Sequence, residues 1–229
     1  MRTSHNQHAF DLWAPSYETQ INPLVMLEKR HLEGLLAEAP GRYVLDAGCG
    51  SGRWLTYLST RKPHNLSGID TSAAMLQIAA RKNIAGVELF QCPCDETPFG
   101  DNRFDLIVSS FVLSYVEDVC SMAIEIDRIA LKGCDFFLSD THPETQARLN
   151  WKCSFKSSNG KIELDSVRHT LANIVEIFGS LGWELLETIE PEFVPPEREM
   201  FVAAGHLDYF LEANGFPAIY LLHLKKSNL

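Results

Sequence analysis

Two aspartates and three glycines have the spacing of a loop that binds a small molecule. Asp46 is followed by glycines at every second position, Gly48, Gly50 and Gly52, and Asp70 ends the next apolar run. Glycine adopts positive φ easily and has no Cβ, so a ligand can approach the backbone closely at such a turn. The pattern therefore predicts a binding loop with a carboxylate on either side of it.

The loop fits neither of two common phosphate-binding motifs. The NAD fingerprint G-x-G-x-x-G would need a glycine at position 53, where the chain has Arg53. A P-loop ends in Gly-Lys-Ser/Thr, and no lysine follows these glycines. The run Tyr43–Leu45 predicts a buried strand before the loop, and Arg53–Leu58 has a helix-like pattern after it. The free N–H groups of such a helix favour a negatively charged ligand group.

The string Asp46-x-Gly48-x-Gly50-x-Gly52 resembles motif I of the class I S-adenosylmethionine (SAM) dependent methyltransferases. Asp70 resembles the acid that closes the second strand in that family. The resemblance covers residues 6–140 well and residues 170–225 loosely. It implies that the loop holds the methionine end of SAM and that Asp70 binds the ribose hydroxyls. The alternative is that both acids only cap strand ends and helices.

The resemblance implies further contacts to SAM. Met75 is expected to pack against adenine, with core filling as the alternative, and the Cys94 N–H is expected to reach the ring. Pro93 stands where the family usually has aspartate, so Asp95 is the acid left for the adenine amino group. The cofactor-binding residues implied in this way are Tyr17, Asp46, Gly48, Gly50, Asp70, Thr71, Met75, Cys94, Asp95, Ser110 and Phe111.

Two segments outside the core motif are expected to cover the site within a single domain. In residues 6–20, Phe10, Trp13 and Tyr17 fall on one helical face, and Pro15 limits any helix across it. The segment resembles the lid of small-molecule methyltransferases, so residues 1–40 are predicted to form a helical lid; a plain amphipathic helix is the alternative. Asn159-Gly160 lies between two alternating runs and predicts a β-hairpin, so residues 143–169 are predicted to cap the acceptor.

Two histidines are candidates for removing a proton from the acceptor. His142 follows the fifth strand, at the edge where ligands bind in open α/β sheets. His169 lies where the predicted insert returns to the sheet. General-base help contributes ~10²–10⁴-fold to a rate. A structural, hydrogen-bonded role is the alternative for each.

Alternating apolar runs predict an α/β fold. The family resemblance makes it a Rossmann-like, seven-stranded, mostly parallel sheet with helices on both faces, and it implies that the last strand is antiparallel. The hairpin is inserted between strands five and six. The predicted strands are 43–45, 66–70, 87–91, 104–110, 135–139, 183–189 and 216–225, and the main predicted helices are 23–38, 72–82, 119–131, 171–181 and 197–213.

The amino-acid composition limits which binding partners and which cellular location are expected. The 229 residues carry a net charge of −10, which repels phosphate backbones and makes nucleic acid an unexpected substrate. No apolar run approaches the ~20 residues of a membrane span, and no signal core follows Met1, so a cytoplasmic monomer or homodimer is expected. Six cysteines without a disulfide-like spacing fit a reducing compartment.

The function expected from the sequence is methyl transfer from SAM to a small molecule, releasing S-adenosylhomocysteine. No metal is expected, because Cys92 and Cys94 have no third and fourth ligand at zinc-like spacing. Two alternatives remain open: a thiol or metalloid acceptor that uses the cysteine pair, and a protein that binds SAM without catalysis.

Overall fold

A computed structural model describes residues 5–157 and 160–228. The strands are β1 (Tyr43–Ala47), β2 (Asn65–Asp70), β3 (Val87–Gln91), β4 (Phe104–Ser110), β5 (Ala130–Thr141), β6 (Ser154–Ser157), β7 (Gly160–Glu163), β8 (Trp183–Ile189) and β9 (Ile219–Lys226). The helices are α1 (His5–Tyr17), α2 (Pro23–Leu35), α3 (Arg53–Ser59), α4 (Ala73–Arg81), α5 (Val119–Ile129), α6 (Pro143–Arg148), α7 (Leu171–Ser180), α8 (Pro195–Ala203) and α9 (Leu207–Ala213). Short 3₁₀ turns cover Leu36–Glu38 and Leu113–Tyr115.

Seven strands form one sheet in the order β3-β2-β1-β4-β5-β9-β8. The strands β1 to β5 run parallel, and β9 is antiparallel to both of its neighbours, β5 and β8. The predicted fold is therefore confirmed, including the antiparallel last strand. The carboxyl ends of β1, β2, β4 and β5 meet at one edge of the sheet, which we call the carboxyl edge.

Side-chain alternation along the strands divides the core into two layers. Leu45 of β1 packs in the layer that contains α5 and α7, whereas its neighbour Val44 packs with α2 and α3 on the opposite face. Both side chains are fully buried, and burying such an apolar side chain contributes roughly 1.5–3 kcal/mol. These layers cover both faces of the sheet.

A charged cluster ties the strands together at the opposite, amino edge. The Asp135 carboxylate accepts hydrogen bonds from Arg42 at 3.0 Å and from Lys225 at 2.9 Å, and the His223 ring lies 2.9 Å away. Burial alone would raise the pKa of Asp135, but the hydrogen bonds from His223, Lys225 and Arg42 outweigh it and hold that pKa well below its usual range. The cluster joins β1, β5 and β9.

Several predicted element boundaries differ from the structure, among them those of α1, α5 and the segment 197–213. Helix α1 continues through Pro15, which lies in its last turn and removes only one backbone hydrogen bond there. Helix α5 ends at Ile129 instead of Leu131, because Ala130 already pairs with Phe104 of β4. Residues 197–213 form two helices, α8 and α9, and Gly205 between them adopts a φ of +74°.

The insert between β5 and β8 contains both an unpredicted helix and the predicted hairpin. Helix α6 begins at Pro143, a first helical position where proline is favoured. Strands β6 and β7 pair antiparallel over 154–157 and 160–163, shorter than the two predicted runs. Asn159, in the predicted turn, lies outside the described residues. Among the helices that are described, none is long and apolar enough to cross a membrane.

Candidate active site

The glycine turn between β1 and α3 has one open position. Gly48, Gly50 and Gly52 all adopt positive φ, as the loop prediction requires. A Cβ on Gly48 would lie 2.2 Å from Val112, so that glycine is needed for close packing against the protein itself. A Cβ on Gly50 would meet nothing within 4 Å. Gly50 is therefore where this turn leaves room for a ligand.

Asp70 connects the glycine turn to the start of α4. Its two carboxylate oxygens accept the N–H groups of Gly50 and Ser72, each at 2.8 Å. Burial raises the pKa of Asp70, although these hydrogen bonds oppose the rise. Ser72 caps α4 by accepting the N–H of Met75. The carboxylate thus lies beside the open position at Gly50 and fixes the two loops around it.

Asp46, at the end of β1, is an almost completely buried acid. Its side chain is 1 % exposed, and one oxygen has no hydrogen-bond partner within the described part of the chain. Burial raises the pKa of Asp46 to about 7. The nearby charge of Arg53 and a hydrogen bond from the Leu55 backbone both act to lower that pKa and so limit the rise. A carboxyl group buried in this way favours a cationic neighbour.

The loop after β3 brings two cysteines close to Asp70. Cys92 donates its N–H to the Asp70 carbonyl at 3.2 Å. Cys94 is buried, and burial raises the pKa of its thiol well above the usual range, whereas Asp95 is exposed. Across residues 5–157 and 160–228, no group of three or more histidine, cysteine, aspartate or glutamate side chains is placed to hold a metal ion.

Two other predicted cofactor-binding residues, Thr71 and Met75, lie just before and within α4. Met75 is 2 % exposed, so its side chain is buried. The Thr71 carbonyl accepts hydrogen bonds from Gln7 of α1 at 2.8 Å and from Gln91 of β3 at 3.0 Å. Thr71, which follows Asp70 in the chain, is thereby held between α1 and β3.

The end of β4 holds a backbone conformation that is rare for a bulky residue. Phe111 has a φ of +55°, and its N–H donates to the Ser139 carbonyl at 2.9 Å. Such a conformation costs on the order of 1–3 kcal/mol and persists only where the surroundings enforce it, often at functional sites. Ser110, just before it, accepts a hydrogen bond from Arg53 at 2.9 Å.

Helix α1 lies over the start of α4, next to Asp70. Its Asp11 accepts hydrogen bonds from the Ser72 hydroxyl at 2.6 Å and from the Ala74 N–H at 3.2 Å. Tyr17, near the end of α1, is half-buried in contact with Trp13, and burial raises the pKa of its hydroxyl to about 12. The same pKa responds to the charges of Arg53 and Asp70, so Tyr17 is close to the glycine turn.

The hairpin and α1 share an aromatic cluster, which we call the aromatic cover: Phe10, Trp13, Tyr17, Tyr115 and Phe155. Trp13 stacks on Phe155 with ring centroids 4.9 Å apart and planes 2° apart, and Phe10 meets Tyr115 edge-on at 5.1 Å. Asn6 also pairs with the Asp165 backbone through two hydrogen bonds of 2.8 and 2.9 Å. The lid and the cap predicted separately from the sequence are therefore joined.

The two predicted histidines occupy different surroundings. His142 is 3 % exposed; its Nε2 lies 2.9 Å from Glu190, and its Nδ1 is buried with no partner among the residues that the structure describes. His169 is half-buried, with Nε2 2.7 Å from the Val116 carbonyl. It lines a cavity of about 10 Å³, room for one water, with Leu113, Ser114, Thr141, Pro143, Gln146, Arg168 and Tyr220.

Three charged residues at the carboxyl edge were not among the predicted site residues. Glu28 of α2 is fully buried and pairs with Arg53 and with the Ser139 hydroxyl. Asp140 accepts hydrogen bonds from the N–H and hydroxyl of Ser114, both at 2.7 Å. Glu28 has no local sequence signal that marks it as a site residue. Arg53 directly follows the glycine loop, and Asp140 directly follows the predicted fifth strand.

The insert that carries α6 and the hairpin begins and ends on one turn. At its start, Asp140 binds Ser114 and the His142 N–H donates to the Ala218 carbonyl at 3.0 Å. At its end, the Val167 N–H donates to the Ser114 carbonyl at 2.8 Å. Both ends of the insert are therefore fixed beside the 3₁₀ turn that follows β4.

Comparison with known proteins gives consistent matches. Residues 45–138 match a family model described as a methyltransferase domain. The chain is 32% identical over 157 residues to a demethylmenaquinone methyltransferase of Lactiplantibacillus plantarum, covering 63% of this chain and 66% of the relative. It is 31% identical over 107 residues to a trans-aconitate 2-methyltransferase of Deinococcus radiodurans, covering 46% and 40%. The chain thus spans less than two thirds of the length of either relative.

The fold has a close counterpart among solved structures. A crystal structure of a SAM-dependent methyltransferase from Mesorhizobium loti superposes with a TM-score of 0.69 at 21% identity, covering 90% of this chain and all of that one. At this identity the likeness establishes the shared fold.

Proposed function

Because the chain belongs to the class I SAM-dependent methyltransferases, we propose that it transfers the methyl group of SAM to a small organic acceptor. The observation that carries the proposal is the arrangement around Gly50, where an open backbone position lies beside the buried carboxylate of Asp70. Bound SAM supplies an electrophilic methyl group on a sulfonium centre. The residues of the chain have to bind it, orient the acceptor and exclude water.

The residues present fit SAM. Gly50 has no Cβ and has open space beside it, so the cofactor can approach the backbone closely there. The unpartnered oxygen of Asp46 suits the positive charge of SAM. The glycine turn and Asp70 would hold the methionine and ribose parts, as the family resemblance implies. Met75, Cys94 and Asp95 would border the adenine. Thr71, Ser110, Phe111 and Tyr17 would complete the surroundings.

A small acceptor is favoured by what covers the site. The aromatic cover places five rings over the carboxyl edge, which suits exclusion of water from the reaction. Aligning an acceptor with the methyl group supplies several kcal/mol toward the barrier. The net charge of −10 disfavours a polyanionic acceptor such as nucleic acid. The relatives named above act on a quinone precursor and on a small carboxylic acid, by their names.

We propose that one of the two histidines removes the proton that the acceptor loses on methylation. His142 retains one ring nitrogen, Nδ1, without a partner inside the described ranges, and Glu190 orients the ring. His169 lines the small cavity next to Thr141 and Tyr220. His142 is the first candidate because it directly follows β5 at the carboxyl edge.

Calorimetric titration with SAM, followed by detection of S-adenosylhomocysteine with a pool of small quinols, carboxylic acids and amines, tests the proposal. We expect SAM to bind, NAD not to bind, and the Asp70→Ala variant to bind SAM about 10- to 100-fold more weakly, since a charge-assisted hydrogen bond contributes ~1.5–3 kcal/mol. Circular dichroism checks that the variant is folded. A wild-type protein that binds no SAM would refute the proposal.

A further inference from the structure

The small cavity next to His142 is polar and has no acid in its wall. Its volume is about 10 Å³, and its polar lining residues are Ser114, Thr141, Gln146, Arg168, His169 and Tyr220. No aspartate or glutamate lines it, although the chain carries a net charge of −10. Thr141 and Pro143 of the lining flank His142 in the chain. The cavity therefore borders the first candidate for removing the acceptor's proton.

Arg168 is a cation without a partner at the rim of this cavity. It is exposed, and it forms no ion pair or hydrogen bond with any residue that the structure describes. By contrast, Arg42 and Arg128 are each in ion pairs with two carboxylates. A free guanidinium in an acidic protein is available to an anion from outside the chain.

Tyr220 supplies a buried donor on the wall of the cavity. Its side chain is 2 % exposed, and its hydroxyl has no hydrogen-bond partner within residues 5–157 and 160–228. Burial raises the pKa of this hydroxyl well above its usual range, and the nearby charge of Asp140 adds to the rise, so the hydroxyl keeps its proton. A buried O–H without a partner costs free energy, so an acceptor atom is expected there when the site is filled.

The size and charge of the cavity select among anions. Asp140 does not line it, and both oxygens of its carboxylate already accept hydrogen bonds, from Ser114 at 2.7 Å and from the Thr141 N–H at 2.6 Å. The volume admits one water-sized atom, and Arg168 supplies one positive charge. These features suit one oxygen of a singly charged carboxylate better than the larger, more highly charged phosphate group.

We propose that Arg168 and Tyr220 bind a carboxylate of the methyl acceptor, so that the acceptor is a small carboxylic acid. One oxygen enters the cavity and accepts from the Tyr220 hydroxyl, and the other faces the Arg168 guanidinium, whose planar fork matches a carboxylate. The carboxylate is a handle that holds the acceptor next to His142, while another atom of the acceptor receives the methyl group. The inference rests on the proposed function and adds the class of acceptor to it.

Binding to protein saturated with S-adenosylhomocysteine tests the handle without turnover. Acetate, benzoate and hexanoate are each compared with the matching primary amide, which has a similar shape and no charge, and backbone amide NMR shifts give the dissociation constants. We expect at least one acid to bind about 10-fold more tightly than its amide, with the largest shifts in residues 141–146 and 166–170.

Variants separate the two contacts in the same titrations. Arg168→Gln should reduce the preference for the acid to within about threefold, and Arg168→Lys, which keeps the charge without the planar fork, should give an intermediate value. Tyr220→Phe should reduce the preference by about threefold, since it removes one neutral hydrogen bond.

The pool of small quinols, carboxylic acids and amines gives a second readout. Wild type should release S-adenosylhomocysteine with carboxylic acids. For an acid that reacts, Arg168→Gln should raise KM about 10-fold and change kcat by less than about threefold, because the handle is held equally in the ground and transition states. The methyl group of the product should survive mild alkaline hydrolysis, which would release it from an ester.

Arg148→Gln is the matched control within the same insert. The Arg148 guanidinium already lies 3.9 Å from the Phe216 ring centroid, so this variant should change neither the preference nor KM. Circular dichroism checks that each variant is folded. Absence of a preference for any acid, an unchanged preference in folded Arg168→Gln, turnover only with amines or quinols, or an ester product would each overturn the inference while the proposed function stands. Failure of wild type to bind SAM would instead refute the proposed function.

Discussion

At the scale of single residues, the buried carboxyl group of Asp46 lowers the stability of the folded protein as the pH rises. An unfolded aspartate titrates near pH ~3.9, whereas burial raises the pKa of Asp46 to about 7. The folded state therefore keeps a proton that the unfolded state loses. The stability contributed by that proton is fully present below pH ~4 and is lost as the pH rises through about 7. The loss amounts to on the order of 4 kcal/mol at most.

The variant Asp46→Asn should be more stable than wild type at pH 8 in the absence of ligand. An asparagine oxygen can still accept the hydrogen bond of the Leu55 backbone, and no charge is buried. Urea unfolding at pH 5 and pH 8 measures the effect, and the difference between the two proteins should grow with pH. The exposed Asp208→Asn serves as the control. A variant that is less stable than wild type at both pH values would contradict the expectation.

His142→Ala tests the proton assignment at the same scale. If His142 removes the acceptor's proton, turnover should fall by at least ~10²-fold, while SAM affinity stays unchanged. Glu190→Gln, which keeps a hydrogen-bonding partner for the ring, should cost less. Single-turnover kinetics and calorimetry separate the two effects. Near-normal turnover in His142→Ala would make this histidine structural and leave His169→Ala as the next variant.

The sequence predicts a role for the acids and glycines around the glycine turn, but it does not point to Glu28. Asp46, Gly50 and Asp70 follow one another in a local pattern that is readable along the chain. A buried glutamate is recognisable only with its partner, and Arg53 is distant from Glu28 in sequence. Pairing of this kind depends on the packing of α2 against the sheet, which periodicity does not specify.

At the scale of elements, local patterns set most boundaries and long-range contacts set the rest. The limits of β8 agree with the prediction because Gly182 ends the preceding helix and the strand pairs with β9 from Trp183 to Ile189. The start of β5 was wrong because pairing with β4 extends the strand past Gly133. The contact between α1 and the hairpin was not predicted, because it joins segments that are far apart in the sequence.

Trp13→Ala should loosen both parts of the aromatic cover at once. Trp13 is 7 % exposed and stacks on Phe155, so its truncation removes a contact that α1 and β6 share. Truncating a buried aromatic side chain costs about 3–5 kcal/mol, and here that cost falls mainly on the cover. Amide hydrogen exchange should rise in 5–17, in 154–157 and in 160–163, with the large sheet unaffected.

Leu12→Ala is the matched control, since Leu12 is the neighbouring residue of α1 and is 46 % exposed. Leu12→Ala should leave amide hydrogen exchange in both segments nearly unchanged. Faster exchange in α1 alone after Trp13→Ala would show that the hairpin is held independently of the helix.

At the scale of the whole molecule, the charged cluster at the amino edge links stability to acid. Asp135 has a lowered pKa, so the stability it contributes is present above its unfolded pKa near ~3.9 and is lost as the pH falls toward the folded value. The cluster spans β1, β5 and β9, so its loss weakens the centre of the sheet rather than one loop.

Asp135→Asn should reduce the free energy of unfolding by about 2 kcal/mol at pH 7, because Lys225 loses its charged partner and Arg42 keeps only Asp105. The deficit should shrink below pH ~4, where wild type also loses the charge. Urea unfolding across this range checks the prediction, with exposed Glu187→Gln of β8 as the control. A deficit that is constant from pH 7 to pH 3 would show that packing, not charge, accounts for it.

The insert that begins and ends beside Ser114 has a consequence for how this chain can diversify. Because its two ends are fixed on one turn, its length can change while the sheet and the glycine turn keep their positions. The entropy of closing a loop rises only with the logarithm of its length, about 0.6 kcal/mol per doubling. Exchange of the whole insert between related proteins is therefore inexpensive, and under the proposed function such an exchange would alter the cover of the acceptor while the glycine turn stays constant.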